Sequence, residues 1–338
     1  MAFSSIVGQT DAKKRLGSAL MGAPGHAYVF SGPDGIGKTL VAREFAKSLL
    51  CRAPSSDGAC GQCDSCRHFE NRVHPDFRSL QLENKEKVIK VERVRQDICA
   101  DLNLRPQFGS RKVYLIAADA LNEQGQNALL KSLEEPPDYV FFLLTVISPE
   151  RLLPTIISRV NLVPLRRYSA TEIGAILSAN GLGSSQTQTF YARFAGGLAG
   201  VAMDLAGSDW FGDLRLETLQ LYKNLGQQSR TALLTAGYQF FDNNRPRVPV
   251  ILDIIGSLIR DQLVYACLHQ TDQLTNIDQL PILQQGLAKA LPEPEARRRL
   301  TRSYAALLAA RRGLTMNASF EGLICNLLLV LRKEFTYA

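Results

Sequence analysis

The run Gly32-Pro33-Asp34-Gly35-Ile36-Gly37-Lys38-Thr39 fits G-x-x-x-x-G-K-[ST] at every position. Glycines at such a turn let the backbone wrap around phosphate oxygens with its N–H groups pointing inward, and a helix opening behind them adds partial positive charge. Lys38 is placed to reach β- and γ-phosphates, and the Thr39 hydroxyl to hold Mg²⁺, so ATP or ADP with Mg²⁺ is the ligand class. A second cluster is Cys51, Cys60, Cys63 and Cys66, spaced C-x₈-C-x₂-C-x₂-C. Its two overlapping C-x₂-C steps can bring thiolates onto one ion, with Cys51 as the fourth ligand of a closed S₄ site. The ligand set suits structural zinc or an iron–sulfur cluster, and nothing nearby suggests electron transfer. His68 reads as a surface residue, His74 as part of a turn before Pro75, and Cys99, Cys267 and Cys325 as core.

These residues need a scaffold. Short β-rich runs at Ala27–Phe30, Asp76–Leu82, Val113–Ala117 and Val140–Val146 alternate with helical patterns at Thr10–Met21, Thr39–Cys51, Val91–Leu102 and Glu123–Glu134. That alternation predicts βαβ units and a largely parallel sheet, with the phosphate loop directly after the first strand. Beyond Arg166-Arg167-Tyr168 the β-rich runs stop. Ser169-Ala170-Thr171-Glu172 has the form of a capping box and opens a helix that runs to Gly181. From Gly207-Ser208-Asp209-Trp210 onward everything reads as helix, and Phe320, Leu323, Ile324, Leu327, Leu328 and Leu331 form one apolar stripe. The expected fold class is therefore α/β plus all-α: residues 1–167 with a zinc-binding insertion at 51–66, a helical lid at 168–208, and a helical domain at 209–338.

At 338 residues and a formal charge of +7, the chain suits two or three domains working beside a polyanion. No run approaches the length of a membrane span and the first residues lack a signal peptide's features, so a cytosolic protein with reduced thiols is expected. From Ala296 to Phe320 there is no acidic residue, while Arg297, Arg298, Arg299, Arg302, Arg311 and Arg312 are present. They read as a solvated helix face, with a DNA- or partner-facing patch, and hence a free-standing DNA-binding protein, as the alternative.

One absence bears on catalysis. A hydrolysing P-loop enzyme places an acidic residue at the end of a buried strand to hold Mg²⁺ and polarise water. Here Val113-Tyr114-Leu115-Ile116 ends in Ala117-Ala118, and Asp119 follows as either a catalytic carboxylate or a helix-start residue.

With these motifs in order, the chain resembles the delta-prime family of bacterial DNA polymerase III clamp-loader subunits, within AAA+. The resemblance rests on Val7-Gly8-Gln9, the phosphate loop, the cysteine insertion, Leu102-Asn103-Leu104-Arg105-Pro106, Asn127-Ala128-Leu129-Leu130-Lys131-Ser132-Leu133-Glu134-Glu135-Pro136-Pro137, and Ser158-Arg159. It implies that Gly8 and Gln9 lie against adenine and that Thr145 is a sensor near the γ-phosphate. It also implies that Arg159 reaches into a neighbouring subunit's ATP site; Val160 stands where the family has cysteine. Ala117-Ala118 replace the Asp-Glu pair of the tau/gamma motor, and Gly196-Gly197-Leu198-Ala199-Gly200 lacks a second sensor arginine. The implied role is a stator-like subunit, with little hydrolysis of its own, in a hetero-pentamer with tau/gamma and delta. Such a complex, part of a DNA-directed DNA polymerase holoenzyme, loads the sliding clamp on primer–template DNA. The competing reading is an active motor of tau/gamma type using Asp119.

Overall fold

The computed structural model describes residues 3–83, 86–284, 287–316 and 318–336. The chain divides into two compact units, Met1–Ile176 with Ala195–Val201, and Leu177–Phe194 with Ala202–Ala338.

The first unit is built on β1 (Ala27–Ser31), β2 (Phe77–Leu80), β3 (Lys112–Ala117), β4 (Val140–Val146) and β5 (Asn161–Pro164). They form one five-stranded sheet in the order β2-β3-β4-β1-β5, every pair parallel. Its helices include α1 (Thr10–Met21), α2 (Lys38–Leu50), α3 (Asp64–Glu70), α4 (Val91–Val94), α5 (Glu123–Glu134) and α6 (Pro154–Ile157). Strands β1 and β4 are buried at every residue and β3 at all but its last, which is why they read as nearly continuous apolar runs, broken only by Ser31, Lys112 and Thr145. Tyr114 and Phe142, both fully buried, stack at 5.6 Å, and the Tyr114 hydroxyl donates to Asp101 at 2.8 Å. A buried aromatic needs such a partner for its polar end.

Two sequence expectations change here. The expected helix Val91–Leu102 is α4 followed by a π-helical turn over Arg95–Cys99, so its hydrogen-bonding register widens within one turn. Strand β5 was not foreseen: only Val163 of its four residues is buried, so an edge strand carries almost none of the apolar signal that marks a central one.

In the second unit, helix Phe320–Phe335 buries Ile324, Leu327, Leu328 and Leu331, all of the expected stripe except Phe320 and Leu323, which are half-buried. Arg215 lies over the Phe190 ring at 3.5 Å and pairs with both oxygens of Asp278, while the buried Asp261 carboxylate accepts from the backbone of Thr275 and Asn276. The basic stretch is largely neutralised locally: Arg298 and Arg299 pair with Glu295, Arg302 with Glu334 and Arg311 with Asp253. Cys267 is exposed, and Cys99 and Cys325 are half-buried, so none is the core thiol expected. Each sits at the margin of a helix's apolar face, which a linear pattern does not separate from its centre. Among the described residues no helix is long and apolar enough to cross a membrane.

The central strands give a direct check. Phe142→Ala removes a fully buried ring from β4 and is expected to cost about 3–5 kcal/mol in denaturant unfolding. A loss under about 1 kcal/mol would contradict this account of the core.

Candidate functional site

Strand β1 delivers the phosphate loop at its C-terminal end. Gly32 N–H donates to Val146 O at 3.1 Å, tying the loop's first residue to the end of β4. Gly35 and Gly37 have φ of 76° and 95°, left-handed values that favour glycine, and Gly37 caps α2 directly. Ile36 is fully buried and anchors the loop, while the Thr39 side chain remains exposed at the mouth. Lys38 is nearly buried; its Nζ donates to Gly32 O at 2.7 Å and to the Asp34 carboxylate at 3.1 Å. The donor set fits a polyphosphate: consecutive backbone N–H groups at a helix start, one lysine and one free hydroxyl.

Around this loop the sheet sets a row of residues in register. Phe30 on β1 pairs with Thr145 on β4, and Thr145 with Ala117 on β3. Thr145 is buried one strand from the loop, and Ala117 and Ala118 present only methyl groups where a metal-binding carboxylate would stand. Asp119, next in the chain, is engaged in a turn. Its carboxylate accepts the Ile147 N–H at 2.6 Å and faces the Arg151 guanidinium at 3.5 Å, closing the turn after β4.

Gly8 and Gln9 form a second wall. Both have left-handed φ, 63° and 50°, and the Gln9 amide pairs with Arg166 in both directions, donating to its O at 2.7 Å and accepting from its N–H at 3.1 Å. A side chain on Gly8 would meet Glu172 at 2.5 Å. Glu172 is held down to about 2 by the Arg166 guanidinium, and it closes the expected capping box with Ser169 through bonds of 2.8 and 3.2 Å. The segment Gly196–Gly200 sits on the phosphate loop: Gly200 N–H donates to Gly35 O at 2.7 Å. Added methyl groups at Gly35 and Gly200 would each crowd the other strand of chain, which is why small residues stand there.

Arg159 lies elsewhere. It follows α6 and is fastened at three points, to Thr155 O at 2.9 Å, Ser158 Oγ at 3.1 Å and Glu134 Oε1 at 2.9 Å. Asn161 stands opposite Tyr28 in the β1–β5 register. Arg159, two residues before it, is therefore near the start of β1, and Gly32 is beyond its end. At about 3.3 Å per residue the two are separated by about 20 Å along the sheet. Sequence reasoning identified Arg159 but not Glu134 as its partner, because nothing in the linear pattern joins the end of α5 to that turn.

The four cysteines converge as expected, their sulfurs all within 4.8 Å of one another, with Cys51–Cys63 and Cys60–Cys66 at 3.9 Å. Tetrahedral zinc with bonds of about 2.3 Å requires sulfurs about 3.8 Å apart, so the donor set fits the ion. Cys60 N–H points at Cys51 Sγ at 3.3 Å, and Cys60 itself is lowered to about 6 by the N–H groups of Gln62 and Cys63. Burial pushes the Cys51 and Cys66 thiols up, a cost a bound cation would offset. Neither histidine belongs to the sulfur cluster. His74 is buried rather than simply part of a turn; it bonds Ser65 Oγ at 2.9 Å, which in turn donates to Leu50 O at 2.7 Å. The buried Asp76 carboxylate then accepts the N–H groups of Gln107, Phe108 and Gly109. Phe108 packs against His68, His74 and Arg52. The cysteine module thus holds the loop that follows Leu102–Pro106, a connection not visible in the sequence because its parts are far apart in the chain.

Two measurements follow from the module. Metal analysis of the purified chain is expected to find one zinc, lost in Cys63→Ser; a metal-free wild type contradicts the assignment. Amide exchange at Gln107, Phe108 and Gly109 is expected to accelerate on chelation, and unchanged protection would show that the loop is held without the module.

The family model described as "DNA polymerase III, delta subunit" matches residues 8–169. DNA polymerase III subunit delta' of Pseudomonas aeruginosa is 47% identical over 135 residues, 40% of this chain and 41% of that protein. DNA polymerase III subunit tau of Escherichia coli is 40% identical over 159 residues, 46% of this chain and 24% of that protein. The chain thus spans less than half the length of these two. The match to DNA polymerase III subunit delta' of Escherichia coli is broader, 30% identical over 83% of this chain and 81% of that protein.

Proposed function

Because this chain belongs to the DNA polymerase III delta' family, we propose that it acts as a stator-like clamp-loader subunit whose catalytic contribution, Arg159, is made to a neighbouring subunit's nucleotide site. The observation that carries this reading is the separation of the two ends of β1: Arg159 lies at the start of the strand and the phosphate loop after its end. An arginine so placed is out of reach of its own loop, and its side chain is 37% exposed, open to an approaching subunit.

The same sheet explains the chain's weak equipment for hydrolysis. Lys38, Thr39 and the loop N–H groups would hold the phosphates and Mg²⁺, Gly8 and Gln9 would lie beside the base, and Thr145 would sense the terminal phosphate. The bound Mg²⁺ would screen phosphate charge. No carboxylate stands at Ala117 or Ala118 to hold the metal or orient water, and Asp119 is engaged with Ile147 and Arg151. That engagement weighs against the motor reading. In the proposed complex the partners are tau/gamma and delta subunits in a hetero-pentamer, acting on the sliding clamp and primer–template DNA in the cytoplasm. Zinc would be structural, and the helical segment 209–338 would serve assembly.

The test is ATP turnover by the complex reconstituted with its tau/gamma and delta subunits. Arg159→Ala is expected to slow the site facing this chain by about 10³-fold, the usual scale for a trans arginine. Arg159→Lys is expected to rescue little, since a lysine lacks the guanidinium's forked donors. An unchanged rate in Arg159→Ala sinks the proposal. Separately, the isolated chain should show no turnover above that of Lys38→Ala.

A further inference from the structure

We infer that Asp34 acts as a built-in competitor for Lys38, setting the phosphate loop as a weak, charge-gated site for nucleoside di- and triphosphates. This rests on the reading of Gly32–Thr39 as a nucleotide site and adds what limits its occupancy.

Lys38 Nζ donates to Gly32 O at 2.7 Å and to Asp34 Oδ1 at 3.1 Å, with the lysine side chain 10% exposed and that of Asp34 82% exposed. The ammonium therefore sits inside the loop while the carboxylate reaches it from the solvent side. An incoming phosphate must replace both acceptors, a carbonyl and a full negative charge. The carbonyl is a neutral acceptor, but the carboxylate opposes a polyanion twice. It holds the lysine ammonium that the phosphates would use, and it remains beside them afterwards as a like charge. The second effect is strongest for the ligand with the most charge.

The exposure of Asp34 sets the size and the salt dependence. An exposed ion pair contributes modestly, so releasing Lys38 is expected to be worth about two- to fivefold in affinity. Because the carboxylate lies in water, added salt screens it, and the effect must shrink as ionic strength rises past that at which the Debye length is about 10 Å. Asn at position 34 keeps the shape and removes the charge. Nothing else in the loop needs to move, since Gly35 and Gly37 retain their own turn.

The experiment is calorimetric titration of the full chain with Mg-ADP and Mg-ATP, comparing wild type, Asp34→Asn and Lys38→Ala at low and high salt. The expected result is tighter binding by Asp34→Asn at low salt, about two- to fivefold or more, with the gain larger for ATP and reduced at high salt. Wild-type binding that is lost in Lys38→Ala but unchanged or weakened in Asp34→Asn overturns the inference while leaving the nucleotide site intact. A gain that is insensitive to salt overturns the charge argument. Absence of binding in both wild type and Asp34→Asn overturns the inference together with the reading beneath it.

Discussion

Every strand pair of the sheet is parallel, and this constrains everything else: each crossover must carry the chain back to the same end of the sheet, and crossovers of that kind cover the central strands β1, β3 and β4. A sheet of parallel strands has two chemically different ends. The ends where strands finish collect the phosphate loop, Thr145 and the Ala117–Ala118 turn; the ends where they begin collect Arg159. On the proposed reading, the receiving half of a nucleotide site and the donated arginine thus lie at opposite ends of one sheet. That division follows from backbone direction and needs no further device. On that reading, the absence of a carboxylate at Ala117 and Ala118 still leaves Arg159 a role in phosphoryl transfer, because the two stand at opposite ends of the sheet.

The first unit holds its irregular segments by satisfying backbone groups with single side chains. Asp76 serves three N–H groups of the 107–109 turn, Asp119 closes the turn after β4, and Gln9 pairs with Arg166. A buried carboxylate is costly to desolvate, and several N–H donors on one carboxylate offset that cost. Such residues are sensitive points: removing Asp76 would leave three amides without their acceptor. The cysteine module adds to this scheme by ordering Ser65, His68 and Arg52, against which His74 and Phe108 pack. Its value is then to the loop beyond it, in a domain whose phosphate site lies elsewhere.

The apolar runs, the glycine spacing of the phosphate loop, the C-x₂-C steps and the capping box were legible in the linear chain because each is a local rule. A strand buried on both faces is nearly continuously apolar; a phosphate cradle must be glycine-rich; a capping box needs its two residues three apart. The sequence by itself therefore determined the α/β core, the loop Gly32–Thr39, the four-sulfur cluster and the absence of a carboxylate at Ala117 and Ala118. Tertiary structure decided the rest. It made an edge strand of Asn161–Pro164, whose single buried residue left no pattern, and it left Cys267 outside the core. It engaged Asp119 with Ile147, coupled Glu134 to Arg159, and set Asp34 against Lys38. Apart from Cys267, which side of a helix a residue takes being too fine for a pattern, these outcomes depend on distances between segments remote in the chain or on the direction a carboxylate points. Residue type and spacing specify which groups are available, and only the packed sheet specifies which of them meet.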